Sequence, residues 1–330
     1  MAPPLISVVL PSHDRNGQLK ECLDALLAQS FRDFEVVLVV DPSPDCPERT
    51  AEAYGMRDPR ITVLSLSAAV GIGRARNAGA ARARGDYLLF LDSDHLVDPD
   101  AFGALAERLD ETGAVDVLLF GHERLHRDRL WPGAGTAVLA EAGPQVGPAA
   151  DRPALIGTPP LIWDRLLRRG TVPPFPDGHY DEIPVAHGTL AAADRVAVLP
   201  RSCVTIRRRH TLHPTGSPGA SHFDLFDQYA RSFELLGAAP AADALRPHLF
   251  TRMIRHLLFV FDLAGCVDRA ERPQFFQRAS DYYRGYFPEG YRRPDGREGV
   301  KFSLLASGAY AAFEVAKLSH IARGAVTGRR

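Results

Sequence analysis

Short apolar runs and amphipathic stretches alternate along the first 120 residues. Apolar residues also recur at helical spacing between these runs, for example at Leu19, Cys22, Leu23, Leu26 and Leu27, and a further helix is predicted over residues 72–84. Strands that are apolar throughout and separated by helices are typical of a parallel sheet covered by helices on both faces. The strand runs lie at 5–10, 34–40, 61–66, 87–91 and 115–120.

The pattern changes after residue 120. Residues 131–160 are rich in Gly, Ala and Pro and lack periodicity, which predicts a long loop or a mobile segment over the site. A short helix is predicted over residues 163–169, followed by mixed structure up to residue 209. Residues 214–219 have the composition of a linker. We therefore predict an α/β catalytic domain over residues 1–217.

Beyond residue 217 the pattern is helical throughout. We predict helices from Ser221 onward, over about 243–264, over 271–286 and over 303–325, and assign residues 218–330 to a helical C-terminal region. The final stretch combines an apolar face with basic residues. A helix packed on its own domain and peripheral contact with an anionic membrane are both open interpretations of this stretch.

Composition excludes several classes of protein. The formal net charge of the 330 residues is -1, so we expect no nucleic acid partner. The four cysteines form no C-x-x-C pair, which favours reduced thiols in a cytoplasmic protein. No apolar run is long enough to span a bilayer, and the N-terminus lacks the pattern of a signal peptide.

The segment FLDSDHLVDPD, residues 90–100, carries the strongest chemical signal. Asp92 and Asp94 follow an apolar strand, and ligands bind at the carboxyl ends of such strands in open α/β sheets. Paired carboxylates suit Mg²⁺ or Mn²⁺, which can bridge a diphosphate. Asp98 and Pro99 then predict the start of a helix. The alternative, two acids in a solvated turn, does not explain this setting.

Three more loops follow predicted strands. Gly71, Gly73 and Arg76 belong to a turn that enters a helix, where backbone N–H groups and arginines can hold an anion. The segment PSHDRNG follows the first strand and DPSPD follows the second. Asp41, in the latter, could accept hydrogen bonds from a base or ribose. Either loop alone would be an ordinary turn, but their convergence predicts a site.

The pattern SVVLPSHDRNG, then VVLVVDPSPD, then GIGRARNAGAARARGDYLLFLDSD resembles the family 2 glycosyltransferases of GT-A fold. The resemblance covers residues 5–120 closely and 160–217 more loosely. It implies a GT-A-like doubly wound mixed sheet, an inverting transfer, and a divalent metal bound by Asp94 with Asp92 near the ribose. The donor site that it implies comprises Pro11, His13, Asp14, Asp41, Arg76, Asp92 and Ser93.

The same resemblance implies an acceptor site. The family has a Glu-Asp pair that supplies the general base, whereas this chain has Asp181 followed by Glu182. Position favours Glu182 as the base, and two solvated loop acids are the alternative. Arg207 and Arg209 would neutralise the leaving diphosphate, and His210 would do the same or complete the metal shell. A solvated basic strand is the alternative there.

Departures from the family pattern concern substrate identity more than the reaction class. Pro42 replaces the usual Gly after Asp41, and His95 follows the second Asp of the D-x-D motif. The helical tail resembles, loosely, that of actinobacterial-type enzymes of cell-wall teichoic-acid synthesis. We therefore expect a UDP-sugar donor, a hydroxyl acceptor such as a glycan or polyol-phosphate polymer, and a cytoplasmic location. Peripheral contact with the inner face of the plasma membrane is the open alternative.

Three other functions are compatible with parts of this pattern. A nucleotidyltransferase has a related sheet and acidic metal site but releases pyrophosphate. A phosphatase could use Asp92 as a nucleophile, although its motif normally lies earlier in a chain and has Thr or Val where Leu96 stands. A non-catalytic glycan-binding module would not need the acids. The retained acids favour an enzyme over such a module.

Overall fold

The computed structural model describes residues 3–12, 16–42, 47–126, 129–207, 220–239 and 242–316. The strands are β1 (Ile6–Ser12), β2 (Phe34–Val40), β3 (Ile61–Ser65), β4 (Tyr87–Phe90), β5 (His95–Val97), β6 (Val117–His126), β7 (Arg129–Pro132), β8 (Arg165–Arg168) and β9 (Val196–Arg207). The helices are α1 (Asn16–Leu27), α2 (Pro47–Arg57), α3 (Ile72–Arg82), α4 (Ala101–Thr112), α5 (Thr136–Ala142), α6 (Glu182–Ala192), α7 (Asp224–Gly237), α8 (Ala242–Asp262), α9 (Arg272–Gly285) and α10 (Gly296–Ala306).

The described strands form one mixed sheet. Its order is β3-β2-β1-β4-β8-β6-β9-β5, and β7 extends it by pairing with β6. The first four strands are parallel, whereas β8 lies antiparallel between β4 and β6. β9 is parallel to β6, and β5 is antiparallel to β9. The five strands predicted from apolar runs are confirmed, and the sheet is mixed because β8, β7 and β5 run against them.

The core lies between this sheet and the helices on its faces. β1, β2 and β4 are buried along their whole lengths, which explains why their sequences are almost continuously apolar. α3 approaches β1 and β2 closely because Gly79 has no side chain. A Cβ there would lie 2.5 Å from Val9 and 2.9 Å from Val39. This close contact directs the first turn of α3 toward the carboxyl ends of the strands.

Two local predictions between residues 98 and 169 are wrong. The helix expected over residues 163–169 is strand β8, whose four residues fill the gap between β4 and β6. Its Leu-Leu pair suits either structure, and only pairing with two strands decides between them. The helix expected to begin at Pro99 begins at Ala101, because the Asp98 carbonyl instead accepts hydrogen bonds from Gln29 and from the Ala101 N–H.

The other two differences concern helices. The expected loop over residues 131–160 contains α5 and two short 3₁₀ helices, Ala149–Asp151 and Pro153–Gly157. The single helix expected over residues 303–325 is interrupted. α10 ends at Ala306, Gly308 has a φ of 67°, and residues 310–316 are helical again. A left-handed glycine ends a helix and turns the chain.

The C-terminal helices contact the sheet domain: α7 packs against α6, and α8 packs against the 3₁₀ helix Pro153–Gly157. Phe226, Tyr229 and Phe233 are buried on one face of α7. Gly188 of α6 lets Leu235 of α7 approach, because a Cβ at Gly188 would lie 2.7 Å from the leucine. Within the described ranges no helix is long and apolar enough to cross a membrane. The division at residue 217 stays a prediction, since residues 208–219 are outside the described part.

Candidate active site

Three neighbouring strands end at the same edge of the sheet. Pro11, near the end of β1, pairs in register with Val39 of β2. Asp41 directly follows β2, and its N–H donates to the carbonyl of Ser12 at 3.1 Å. Asp92 lies two residues beyond the end of β4, on the other side of β1. The loops that the sequence assigns to a donor site therefore meet at one edge, where open α/β sheets bind ligands.

An acidic cluster follows β4. Asp92, Asp94 and His95 each place one potential ligand atom within 4.8 Å of the others. The two carboxylates are partly exposed, whereas Ser93 between them is buried. Two carboxylates beside an open edge are a donor set that fits Mg²⁺ or Mn²⁺, because both ions prefer oxygen ligands. The residues present therefore suit the predicted metal.

His95 supports this cluster from behind. The backbone N–H of Asp92 donates to His95 Nδ1 at 3.2 Å, so the neutral ring carries its proton on Nε2. Nε2 lies 3.9 Å from Asp92 Oδ2 and 4.0 Å from Asp94 Oδ1, where that proton faces the carboxylates. The ring packs edge-on against Trp163, with centroids 4.8 Å apart. His95 is therefore suited to hold the carboxylates and less suited to bind a metal.

Arg76 connects the acidic cluster to the second pair of acids. Its Nη2 donates to Asp92 Oδ1 at 2.9 Å, and its Nη1 lies 3.4 Å from Asp181 Oδ1 and 3.9 Å from Glu182 Oε2. The guanidinium is buried and lies 5.3 Å from the centroid of Phe175. Burial alone would lower the pKa of Arg76, but the charges of the three acids raise it. The arginine is therefore cationic and holds both halves of the site together.

The acid pair stands at the start of α6. Asp181 precedes the first helical residue, Glu182, and the two side chains differ in environment. The side chain of Asp181 is 3% exposed, whereas that of Glu182 is 30% exposed. Gly73 makes room for the former, because a Cβ at Gly73 would lie 2.6 Å from Asp181 Oδ2 and 2.9 Å from the carbonyl of Pro176.

The pKa of Glu182 is raised above the ordinary range of a glutamate. Burial is the largest cause, followed by the negative charge of Asp181, while Arg76 acts in the opposite direction. A carboxylate with a raised pKa is a stronger proton acceptor once it is ionised.

The segment before the acid pair is held to α3. Asn77 donates to the carbonyl of Phe175 and accepts from its N–H, both at 2.8 Å. Arg74 forms a two-point ion pair with Asp177 at 2.6 Å, although both side chains are largely exposed. Exposed pairs contribute little stability, so the partly buried hydrogen bonds of Asn77 carry most of this attachment.

The helical region holds the same segment from the other side. Tyr180, immediately before the acid pair, has a φ of 61° and a buried side chain. Its hydroxyl is hydrogen-bonded with His222 Nδ1 at 2.7 Å. Gln228 of α7 donates to the carbonyl of Asp177, and Asp224 accepts from the N–H of His179. A left-handed conformation costs a bulky residue about 1–3 kcal/mol, and these contacts offset that cost.

Asp41 lies at the same edge of the sheet and forms a hydrogen bond that supports the local structure. Its side chain is buried, and Oδ1 accepts the N–H of Val70 at 3.2 Å. Val70 precedes the turn into α3, so this bond ties the end of β2 to the start of that helix. The structure thus places Asp41 beside the predicted donor loops and gives it a second role in their support.

The basic residues predicted to hold the diphosphate are described only in part. Arg207 ends β9 and forms an ion pair with Glu21 of α1. His13, Asp14, Arg209 and His210 lie outside the described residues.

Two features of the site were missed in the sequence. One is the role of Gly73, which was assigned to a tight turn but leaves space for Asp181. Gly73 lies one turn before Arg76 on the same face of α3. A glycine at that position could have suggested that another segment packs closely there. The other is Trp163, which packs between His95 and His122 with ring centroids 4.8 and 4.6 Å away. No local pattern marks it, because the three rings come from separate parts of the chain.

Sequence comparisons relate the first part of the chain to known proteins. Residues 7–143 match the model of glycosyl transferase family 2. EpsJ of Bacillus subtilis, described as an uncharacterized glycosyltransferase, is 36% identical over 126 residues, or 38% of this chain and 36% of the relative. The succinoglycan biosynthesis protein ExoO of Rhizobium meliloti is 35% identical over 111 residues, or 34% and 31% of the two chains. The aligned part thus spans about a third of each relative.

Structural comparisons extend over nearly the whole chain. TarS residues 1–349 from S. aureus, in complex with UDP-GlcNAc, has a TM-score of 0.74 at 20% identity and covers 97% of this chain and 91% of that one. A mannosyltransferase from Pyrobaculum calidifontis, in complex with GDP-Man and Mn²⁺, has a TM-score of 0.52 at 17% identity and covers 94% and 81%. Residues 7–143 are therefore similar to glycosyl transferase family 2, and the chain has the GT-A fold that the sequence predicts.

Proposed function

We propose that this protein is an inverting glycosyltransferase that moves a sugar from a nucleoside diphosphate to a hydroxyl acceptor. One observation carries the proposal. Arg76 joins the paired carboxylates at the sheet edge to a second acid pair at the start of α6. A donor-side acidic cluster and an acceptor-side base are the two parts that a direct displacement requires, and here one buried cation connects them.

Glu182 is the proposed general base. Its carboxylate is the more exposed of the pair, and its raised pKa suits removal of a proton from an acceptor hydroxyl. Asp181 is buried against Arg76 and Gly73, so we assign it to positioning. With the base on one face of the sugar and the diphosphate on the other, attack of the hydroxyl on the anomeric carbon inverts its configuration.

Asp94 and Asp92 would hold Mg²⁺ or Mn²⁺, with Asp94 as the principal ligand. The ion would stabilise negative charge that develops on the leaving diphosphate. Arg76 limits Asp92 as a ligand, because it already donates to Oδ1 of that carboxylate. Arg207, together with Arg209 and His210, would add positive charge on the leaving-group side.

A UDP-sugar is the donor that we propose, with Pro11, Asp41 and Ser93 lining its pocket beside His13 and Asp14. Support comes from TarS, whose structures contain UDP-GlcNAc and UDP. The acceptor would be a hydroxyl group of a glycan or polyol-phosphate polymer, as in the assembly of a surface polysaccharide. Relatives named for succinoglycan biosynthesis and O-antigen biosynthesis support this class of product.

Donor turnover tests the proposal. Purified protein would be incubated with a panel of UDP- and GDP-sugars, with Mn²⁺ or with excess chelator, and the nucleotide products separated by chromatography. We expect a nucleoside diphosphate as the product with Mn²⁺ and none with chelator. In a parallel reaction with UTP or GTP and a sugar 1-phosphate, release of pyrophosphate would indicate a nucleotidyltransferase instead. Glycan binding with no turnover of any donor would indicate a glycan-binding module.

Membrane contact is a separate proposal about location. The C-terminal segment after residue 300 is basic and amphipathic, which favours weak binding to the anionic inner face of the plasma membrane. Co-sedimentation of the full chain with vesicles rich in anionic lipid should decrease with salt and with removal of this segment. Failure to sediment at low salt would leave the segment with a structural role only.

A further inference from the structure

Strands β6 and β7 carry a surface that the proposed chemistry does not use. β6 continues past the edge of the sheet and pairs with β7, whose four residues are all exposed. Trp131 and Leu130 are each 55% exposed, although large apolar side chains are normally buried. Arg124 and Arg129 are also exposed, and neither forms an ion pair with any of the described residues. Exposed tryptophan beside exposed arginine is a surface suited to a ligand.

The register places these side chains on one face. Arg124 lies opposite Trp131 in the antiparallel pair, and such partners project to the same side. Arg129 is two residues from Trp131, so it projects to that side as well. The tryptophan and both arginines therefore form a continuous surface, which we call the β6–β7 surface.

That face is the one that carries the acidic cluster. Ile206 of β9 pairs with Arg124 on one side and with His95 of β5 on the other, so these residues form one row across the sheet. Contacts between side chains also place these residues on one face. His122 lies two residues before Arg124 and contacts Trp163, which in turn contacts His95. Three strand spacings separate Trp131 from His95, or about 14 Å.

We propose that the β6–β7 surface binds the acceptor at a distance from the reacting hydroxyl, and that this acceptor is a chain that carries negative charge. The inference rests on the proposed function. A separation of about 14 Å exceeds one sugar ring, so the bound part is a unit further along the chain. Trp131 offers a flat apolar face for a sugar or polyol unit, and the arginines bind phosphate or carboxylate in bidentate geometry.

Binding through remote units has a specific consequence. Energy from parts of a substrate that do not react can position the part that does. Loss of the β6–β7 surface should therefore raise KM for long anionic acceptors and leave short or neutral acceptors little changed. The interaction should also weaken with salt, because both arginines are exposed.

Tryptophan fluorescence provides a direct test. The chain has two tryptophans, Trp131 and Trp163, of which the second is buried. The full chain would be titrated with an oligomer of glycerol phosphate, an oligomer of galacturonate and neutral maltotetraose. We expect one or both anionic oligomers to change the emission, with the effect absent in Trp131→Phe. Comparison of the glycerol phosphate and galacturonate titrations identifies whether phosphate or carboxylate is preferred.

Charge removal is tested with a matched control. In Arg124→Gln/Arg129→Gln the affinity for the anionic oligomer should fall at least 10-fold at low salt. Arg82→Gln/Arg292→Gln removes the same charge from exposed positions elsewhere and should bind as the parent does. Unchanged affinity in the first double variant, or binding of neutral maltotetraose alone, would overturn the inference. So would a response to anionic vesicles with none to either anionic oligomer.

Calorimetry with UDP and Mn²⁺ separates the two proposals. The β6–β7 variants should bind UDP as tightly as the parent does, because the surface lies outside the donor loops. If no form of the protein binds UDP or a UDP-sugar, the proposed function fails, whatever the oligomers do. If UDP binds and both anionic oligomers leave the tryptophan emission unchanged, only the assignment of the acceptor surface fails.

Discussion

Replacement of either member of the Asp181–Glu182 pair by its amide should affect different properties of the protein. Glu182→Gln keeps the size of the side chain and removes the proton acceptor. Loss of a general base lowers the rate by about 10²–10⁴, which corresponds to about 2.7–5.4 kcal/mol of transition-state stabilisation. Because the carboxylate of Glu182 is partly exposed and lies 3.9 Å from Arg76, folding stability should change little.

Asp181→Asn should lower folding stability more than Glu182→Gln does and should lower turnover less. Asp181 is buried, and Arg76 keeps its bond to Asp92 at 2.9 Å when the Asp181 charge is removed. The cost is that of a weakened buried hydrogen bond, about 1–3 kcal/mol, or roughly 2–4 °C in melting temperature for each kcal/mol. Turnover should fall less than in Glu182→Gln, because the base itself remains.

The pH profile gives an independent readout. Burial and the charge of Asp181 raise the pKa of Glu182, so the base ionises at higher pH than an ordinary glutamate, whose pKa is about 4.3. The acid limb of kcat/KM should therefore lie closer to neutrality, with activity lost as pH falls through it. Removal of the Asp181 charge lowers the pKa of Glu182, so this limb should move to lower pH in Asp181→Asn.

Turnover at saturating donor, UDP affinity and thermal melting would be measured for both variants. Asp177→Asn, a carboxylate-to-amide change in an exposed ion pair of the same segment, is the control and should be nearly neutral. If Asp181→Asn is the inactive variant and Glu182→Gln keeps its turnover, the roles of the pair are reversed. If neither variant loses turnover, the base lies elsewhere, and His210 is the next candidate.

Further substitutions test the donor side and the support of the pair. Asp94→Ala should abolish both donor turnover and Mn²⁺ binding, measured by calorimetry, while the melting temperature is kept; full activity would exclude the metal role. Asp41→Ala should weaken UDP binding and also lower the melting temperature, because it removes the acceptor for the Val70 N–H; unchanged UDP affinity would limit it to that structural role. Gly73→Ala should reduce kcat more than donor affinity, because a Cβ would lie 2.6 Å from Asp181 Oδ2; normal kcat would show that the pair can shift without loss.

The sequence by itself determined the strands that carry the donor loops. β1, β2 and β4 are apolar along their lengths because they are buried on both faces, so their positions and the loops after them could be predicted. Asp41, Asp92 and Asp94 follow from the same reasoning. Local composition is enough to predict this site, because the carboxyl ends of parallel strands lie at the same edge of the sheet.

Tertiary structure decided what lies between those elements. The sequence of β8 suits a helix as well as a strand, and only the gap between β4 and β6 made it a strand. Likewise, no local pattern shows that Arg76 joins Asp92 to Asp181, because the three residues come from separate parts of the chain. Contacts between distant segments depend on how the elements pack, and the periodicity of a single segment carries no information about its partners.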